Sequence, residues 1–189
     1  MPTGPHSSKI DAEYRYAGYR DAVYHHVYEK WDEIVRQKQV DLRLFPIDDD
    51  ALQQCEEAWT LFPEDDKPEP FPWRKLFYYE RRTPRRFEMA IWNGSILCGL
   101  TIGRASRSKL GEESNVTITF LQGAPEPINK LKGFIAPIAI DAAEAYATVL
   151  ERPMLYVKDP LEEVQSLYEG YDFRLAKRRC KGLYMGKTL

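Results

Sequence analysis

The sequence has little cysteine or histidine, and neither is arranged for disulfide bonding or metal binding. The three cysteines, Cys55, Cys98 and Cys180, are odd in number and widely separated, so no disulfide framework or zinc site is indicated. Reduced thiols are typical of a cytoplasmic protein. His25 and His26 are adjacent, so on a helix their side chains point about 100° apart and do not easily coordinate the same metal ion. We expect a cytoplasmic protein with no metal cofactor.

Long apolar runs and a strong excess of one charge are also missing. No run approaches the ~20 apolar residues of a membrane span, and residues 1–9 lack the apolar core of a secretory signal. The formal net charge is −2, which gives no general attraction to nucleic acid. The basic segments 81–86 and 177–179 are interpreted as solvated turns, with nucleic-acid binding as the weaker alternative. We expect a soluble chain with no membrane partner.

The N-terminal part is predicted as a long helix. Residues 1–9 are predicted to be a disordered lead-in. Residues 10–39 are predicted to form a helical extension, and residues 40–189 to form one domain. Within 11–38, apolar residues recur at three- and four-residue steps, which places them on one helix face. These residues are Tyr24, Val27, Tyr28, Trp31, Ile34 and Val35. If the domain leaves this face uncovered, we expect a homodimer through it.

The rest of the chain alternates between strand and helix patterns. Val40–Ile47 predicts a strand, and the acidic Asp48–Asp50 suits the start of a helix ending at Phe62. Asn93–Gly94 predicts a type I′ turn between the strands Phe87–Trp92 and Ile96–Gly103. Further strands are predicted over 115–121, 154–158, 173–178 and 182–187, and helices over 73–81, 137–150 and 161–169. A strand, helix, strand succession favours a parallel strand pair.

Four motifs carry a resemblance to a known family. They are the Ile-x-x-Gly step Ile96–Gly99, the glycine loop Lys130–Ala136, the segment Leu167–Phe173 and the final strand Leu183–Leu189. With the order of the elements, they resemble the GNAT superfamily of acyl-CoA N-acyltransferases. The loop diverges from that family's Arg/Gln-x-x-Gly-x-Gly/Ala pattern, because Lys130 opens it and Ile135 takes the last position. The resemblance implies an α/β (α+β) fold: a mixed, mostly antiparallel sheet flanked by helices, with an extra N-terminal helix.

The resemblance also implies an N-acetyltransferase that uses acetyl-CoA as co-substrate. The acceptor would be an amine of a small molecule or of a protein. Backbone groups of Phe120, Leu121 and Gln122 would bind the pantetheine arm in a gap between the strands 115–121 and 154–158. The pyrophosphate would lie against Lys130, Leu131, Lys132, Gly133, Phe134, Ile135 and Ala136.

The glycine loop also predicts anion binding on physical grounds alone. Backbone N–H groups at a helix N-terminus lack partners and carry partial positive charge, so a pyrophosphate fits there. Gly133 lets the backbone approach a ligand closely. The alternative is a surface loop with two solvated lysines.

Candidate catalytic residues follow from the resemblance and from side-chain chemistry. Tyr168 matches the family's tyrosine that protonates the departing thiolate, and its alternative is a packing role. Glu88 and Asp159 are candidate general bases, as are Thr117 and Thr119 on the central strand. A catalytically degenerate GNAT-like domain that serves as a binding or assembly module is the alternative function.

Overall fold

The computed structural model describes residues 5–62, 71–108, 113–176 and 181–189. The helices are α1 (Pro5–Gln37), α2 (Asp49–Ala58), α3 (Trp73–Glu80), α4 (Ile135–Val149) and α5 (Glu162–Gly170), with a 3-10 turn at Trp59–Leu61. The strands are β1 (Leu42–Phe45), β2 (Arg86–Asn93), β3 (Ile96–Ala105), β4 (Asn115–Gly123), β5 (Met154–Lys158), β6 (Arg174–Leu175) and β7 (Tyr184–Thr188).

The strands form one sheet in the order β1, β2, β3, β4, β5, β7, β6. Every neighbouring pair is antiparallel except β4 and β5, which are parallel. Helix α4 connects these two strands, as expected for a crossover between parallel strands. The mixed sheet, the flanking helices and the extra N-terminal helix confirm the predicted fold class.

Helices cover both faces of the sheet. Along β2, Met89 and Ile91 belong to a core shared with α1 and α4, whereas Ala90 and Trp92 belong to a core shared with α2 and α3. This alternation follows because successive side chains of a strand point to opposite faces. We call the two sides the α4 face and the α3 face.

The aromatic face of α1 is covered within the chain. Tyr24, Val27 and Trp31 are buried in the core of the α4 face, and the Trp31 indole N–H donates to Asp141 on α4 at 2.7 Å. Most of the predicted stripe is therefore a packing face, although Tyr28 and Ile34 are exposed. The exposed patch on which the homodimer expectation rested is missing, and the homodimer itself stays a prediction.

Helix α1 also covers part of the edge of β2. Strand β1 pairs only with Ala90–Asn93, which leaves the first half of β2 without a strand on that side. There the Tyr24 hydroxyl donates to the Glu88 carbonyl oxygen, and the Arg20 guanidinium donates to the Arg86 carbonyl oxygen at 3.4 Å. These bonds satisfy backbone groups that an open strand edge would expose.

Several boundaries differ from the predictions. Helix α1 begins at Pro5 instead of residue 11. The predicted strand over 173–178 is reduced to Arg174–Leu175, and 177–180 lie outside the described residues. At the start of α2, the prediction is confirmed, because the Asp48 side chain accepts a hydrogen bond from the Ala51 N–H at 2.8 Å.

The hairpin turn between β2 and β3 lies one residue later than predicted. Asn93 pairs with Ile96 inside the ladder, so the two-residue loop is Gly94–Ser95. Gly94 has a φ of 59°, and a glycine at the first loop position is the signature of a type II′ turn. The Asn93 side chain is engaged elsewhere, since its Oδ1 accepts from the Asp41 N–H at 3.0 Å. The predicted type I′ turn at Asn93–Gly94 is therefore wrong.

Candidate functional site

The two parallel strands separate halfway along β4. Pairing with β5 covers only Asn115–Ile118, opposite Met154–Val157, while β4 continues beside β3 to Gly123. The side chains of the unpaired part, from Thr119 onwards, are half-buried, whereas Val116 and Ile118 are buried. Beyond Ile118 the β5 side of β4 is therefore unpaired, and we call this part of the sheet the wedge.

A β-bulge in β4 lies at the mouth of this wedge. Ile102 of β3 pairs with Phe120 and Gly103 with Ile118, so Thr119 has no partner on β3, and none on β5. Bulges leave the extra residue outside the ladder and are frequent near active sites. Gly103 permits the close approach, because a Cβ there would lie 2.2 Å from the Thr117 carbonyl oxygen. Backbone groups at Thr119 are thus available to a ligand in the wedge.

The predicted glycine loop leads into the N-terminus of α4. Gly133 is exposed and has a φ of 84°, and a Cβ built on it would meet no atom within 4 Å. No side chain caps the helix, which begins at Ile135, two residues earlier than predicted. The N–H groups of Ile135 and Ala136 lie in the first turn, where intrahelical acceptors do not exist. This end of α4 is an open cluster of backbone donors suited to an anion.

Two apolar side chains anchor the loop to the sheet. Leu131 and Ile135 are buried, and Ile135 packs where Gly99 of β3 leaves room, since a Cβ on Gly99 would lie 2.6 Å from the Ile135 side chain. The two lysines differ: Lys132 forms an ion pair with Glu126, and Lys130 is exposed. The structure thus brings the predicted loop residues together around an exposed Gly133 backbone.

An aromatic cluster borders the unpaired part of β4 on the α3 face. Phe71 meets Phe120 edge to face, with ring centroids 5.3 Å apart. The Gln122 side-chain oxygen accepts hydrogen bonds from the Phe71 backbone N–H at 3.0 Å and from the Trp73 indole at 2.8 Å. Phe71 itself is 38% exposed. No motif in the sequence indicated this cluster, because it depends on a side chain of β4 meeting a distant loop.

Tyr168 lies on α5, immediately after β5 in the chain. It is 5% exposed, and burial raises the pKa of its phenol to about 12. Its ring meets Phe173 edge to face at 5.7 Å, and its hydroxyl makes no hydrogen bond within the part of the chain described. The raised pKa keeps the phenol protonated at neutral pH but makes it a weaker acid, since proton donation is most efficient when the pKa of the donor lies near the working pH.

Glu88 is buried beside α1. Its Oε1 accepts a 2.7 Å hydrogen bond from Arg86, and the Arg20 guanidinium lies 3.9 Å away. Burial raises the pKa of Glu88, while Arg86 and Arg20 oppose the rise. Its Oε2 has no partner among the described residues. In the ladder Glu88 lies opposite Ile102, which lies opposite Phe120, so Glu88 and Phe120 are two strands apart, roughly 10 Å.

Asp159 ends β5 and holds the turn that precedes β7. Its carboxylate accepts a hydrogen bond from the Leu183 N–H at 2.7 Å, and its own N–H donates to the Leu183 carbonyl oxygen at 2.7 Å. The side chain is 56% exposed. The carboxylate is therefore engaged in a structural contact just after Lys158, at the end of β5 where pairing with β4 stops.

Other chemistry receives little support from the described residues. Burial raises the pKa of Cys55 to about 12 and also raises that of Cys98, so neither thiol is an activated nucleophile. No group of three or more His, Cys, Asp or Glu within the described ranges could hold a metal ion. None of the helices described is long and apolar enough to cross a bilayer.

Comparison with known proteins gives structural likeness without sequence likeness. No known family model and no curated protein matches the sequence. An acetyltransferase from Thermus thermophilus has a similar structure, with a TM-score of 0.55, 18% identity and coverage of 78% of this chain and 97% of its own. An acetyltransferase of the GNAT family from Staphylococcus aureus has a TM-score of 0.52 and 9% identity, and the match covers 78% of this chain and 98% of that one.

A third similar structure was solved with a ligand. The PaiA N-acetyltransferase from Thermoplasma acidophilum, in complex with coenzyme A, gives a TM-score of 0.50 and 10% identity, and the match covers 79% of this chain and 99% of that one. At identities this low, likeness concerns the fold alone. The chain has the fold of the GNAT acetyltransferases.

Proposed function

We propose that the protein is an N-acyltransferase that moves an acetyl group from acetyl-CoA to an amine. One observation carries the proposal: an uncapped helix N-terminus behind an exposed Gly133 adjoins a wedge between two parallel strands. The donors suit a diphosphate, and the wedge suits a narrow chain such as pantetheine. The acetyltransferase fold, and a neighbour of that fold solved with coenzyme A, support the same function.

The proposed reaction is direct attack of a neutral amine on the thioester carbon. The backbone of Phe120, Leu121 and Gln122 would bind the pantetheine arm. An N–H near the bulge at Thr119 would polarise the carbonyl oxygen, which is the largest contribution expected in acyl transfer. The C–S bond then breaks, the C–N bond forms, and the Tyr168 phenol would protonate the leaving thiolate.

The amine would approach from the α3 face, where Phe71 and Phe120 present apolar ring surface. Its proton would pass to a carboxylate, for which we propose the Oε2 atom of Glu88, reached through water because β3 lies between Glu88 and Phe120. Asp159 is the weaker candidate, since its carboxylate already accepts the Leu183 N–H.

A binding module without catalysis is the second candidate, and the state of the carboxylates favours it. Glu88 is bonded to Arg86 and covered by α1, and Asp159 is held by Leu183. Such a domain would bind a CoA species, or nothing, and would perform no transfer.

Calorimetry with coenzyme A and acetyl-CoA tests the proposal. We expect binding in the micromolar range, within the ~1 μM to 1 mM span usual for enzyme substrates. Gly133→Val should weaken binding at least about tenfold, because a β-branched residue strains a backbone at positive φ and blocks the approach. Gly18→Ala is the control: it lies within α1, and an added Cβ there meets no atom within 4 Å.

The outcomes separate the two candidates. Absence of binding at about 1 mM ligand rules out the acyltransferase. Binding followed by release of free thiol with a panel of amines supports it, and binding without thiol release supports the non-catalytic module.

A further inference from the structure

Five arginines lie in two segments at one end of the sheet. Arg81, Arg82 and Arg85 belong to the turn between α3 and β2, and Arg104 and Arg107 belong to the end of β3 and the segment after it. None forms an ion pair with any residue that the structure describes. Among the other described arginines, five are each paired with a carboxylate: Arg20, Arg36, Arg43, Arg74 and Arg86. Arg152 and Arg174 instead donate to hydroxyl or carbonyl oxygens, and Arg15 lies over the Tyr16 ring.

The two segments that carry the five arginines are joined through their backbones. The Ala105 N–H donates to the Arg85 carbonyl oxygen at 2.9 Å, which joins the turn to the end of β3. Arg104 lies directly opposite Arg86 in the ladder. Arg85 is half-buried and the other four are exposed. We call Arg81, Arg82, Arg85, Arg104 and Arg107 the arginine surface.

Arg104 places a second positive charge opposite Arg86. Like charges directly opposite each other on a strand pair are destabilising. Arg86 is neutralised by Glu13 and Glu88, so neither carboxylate is available to Arg104. Glu113, an exposed acid just before β4, makes no ion pair with the described arginines. A surface kept cationic in a chain of net charge −2 fits an anionic partner.

Exposed aromatic rings adjoin the arginine surface. Tyr78 and Tyr79, in the last turn of α3, are 42% and 64% exposed. The Arg81 guanidinium lies over the Tyr78 ring, 5.4 Å from its centroid. Arginine matches phosphate with paired hydrogen bonds, and exposed rings provide platforms on which unpaired bases stack. An acidic peptide would use the charges but not the rings.

We propose that the arginine surface and Tyr79 bind single-stranded nucleic acid, with phosphates on the guanidiniums and a base on the tyrosine ring. The small net charge of the whole chain gives no general attraction to nucleic acid. That net charge, however, includes acidic residues that lie outside the arginine surface. The site is separate from the loop at Gly133 and does not depend on acyl transfer.

Fluorescence anisotropy with labelled single-stranded RNA and DNA of one sequence tests the proposal across a salt series. The logarithm of the binding constant should fall linearly with the logarithm of salt, with a slope of about −3 if four or five phosphates are contacted. The triple variant Arg82→Ala, Arg85→Ala, Arg104→Ala should bind at least about tenfold more weakly, with a slope reduced by about two. Tyr79→Ala should weaken binding and leave the slope unchanged, because stacking releases no counterions.

Arg36→Ala and Arg43→Ala are matched controls, since both arginines are exposed but paired with Asp32 and Asp41. They should bind as the unaltered protein does, and thermal unfolding of every variant checks the fold. Equal losses in the control variants, or no salt-dependent binding at low salt, would overturn the proposal. So would displacement of the strand by polyglutamate as readily as by unlabelled RNA and DNA, because the surface would then recognise carboxylates.

Discussion

Asp172 occupies a backbone position that favours glycine. The segment Leu167–Phe173 resembles a Leu-Tyr-x-x-x-Gly-Phe element of the GNAT superfamily. When Tyr168 is aligned with its tyrosine and Phe173 with its phenylalanine, the glycine position falls on Asp172. The structure gives Asp172 a φ of 66°, whereas Gly170 is the last residue of α5. The displaced glycine is thus a substitution within the motif, and an aspartate adopts the left-handed conformation that suits glycine after the helix.

Asp172→Gly should therefore stabilise the protein by about 0.5–1 kcal/mol, because glycine adopts positive φ without the clash of a Cβ. Asp172 is exposed, so little packing is lost. Urea unfolding measures this change in the free energy of unfolding, provided that the dependence on urea concentration has the same slope in both proteins. Glu169→Gly, inside α5, is the control with the opposite expected effect and should destabilise by about 1 kcal/mol. A lower midpoint for Asp172→Gly would mean that its side chain contributes more than its backbone costs.

Helix α1 acts as a cover for a strand edge as well as a packing element. The Tyr24 hydroxyl bonds to the Glu88 carbonyl oxygen where β1 no longer pairs with β2. This burial raises the pKa of Tyr24 well above its ordinary value, with the Glu88 charge adding to the rise. The hydroxyl is therefore a permanent donor, and the first half of β2 depends on it.

Tyr24→Phe should lower the free energy of unfolding by about 1–3 kcal/mol, since it leaves a buried carbonyl oxygen without its donor. Tyr28→Phe is the matched control on the same helix. Tyr28 is 40% exposed, so Tyr28→Phe should alter the free energy of unfolding by no more than about 0.5 kcal/mol. Chemical denaturation of both variants gives the comparison, and equal effects would show that the edge bond contributes nothing.

Regular elements were predictable from the sequence, and irregular ones were not. The period of α1 and the alternation along β4 follow from local spacing, because burial on one face leaves a repeating pattern. The bulge at Thr119 and the shifted turn at Gly94–Ser95 depend on how one strand registers against another. Asn93, for example, is drawn into the ladder beside Asp41, 52 residues away, and no local rule contains that contact.

The candidate site was likewise predictable only in part. The loop around Gly133 was predictable, because glycine before a helix is a local signal. The contacts of Phe71 with Phe120 and Gln122 join segments about 50 residues apart, so only the folded chain reveals them. Glu88 was predicted as a base from its type, but its enclosure by Arg20 of α1 required the tertiary structure.

At the scale of the whole molecule, the sheet separates two proposed binding sides. The loop at Gly133 leads into α4, and the rings of Phe71 and Phe120 border the α3 face. The wedge beyond Ile118 joins them, because only there does β4 lack a neighbour on one side. A thioester entering from one face and an amine entering from the other would meet in this opening.

Phe71→Ala should accordingly raise the KM for the amine by about tenfold, the effect of losing roughly 1–2 kcal/mol of ring contact, and leave the affinity for acetyl-CoA unchanged. Gly133→Val should do the reverse. Initial rates of thiol release, measured while each substrate is varied in turn, give both constants, and calorimetry gives the acetyl-CoA affinity independently. If Phe71→Ala weakened the binding of both substrates equally, the ring would stabilise the wedge and would not contact the amine specifically. The two faces of the sheet would then not bind the two substrates separately.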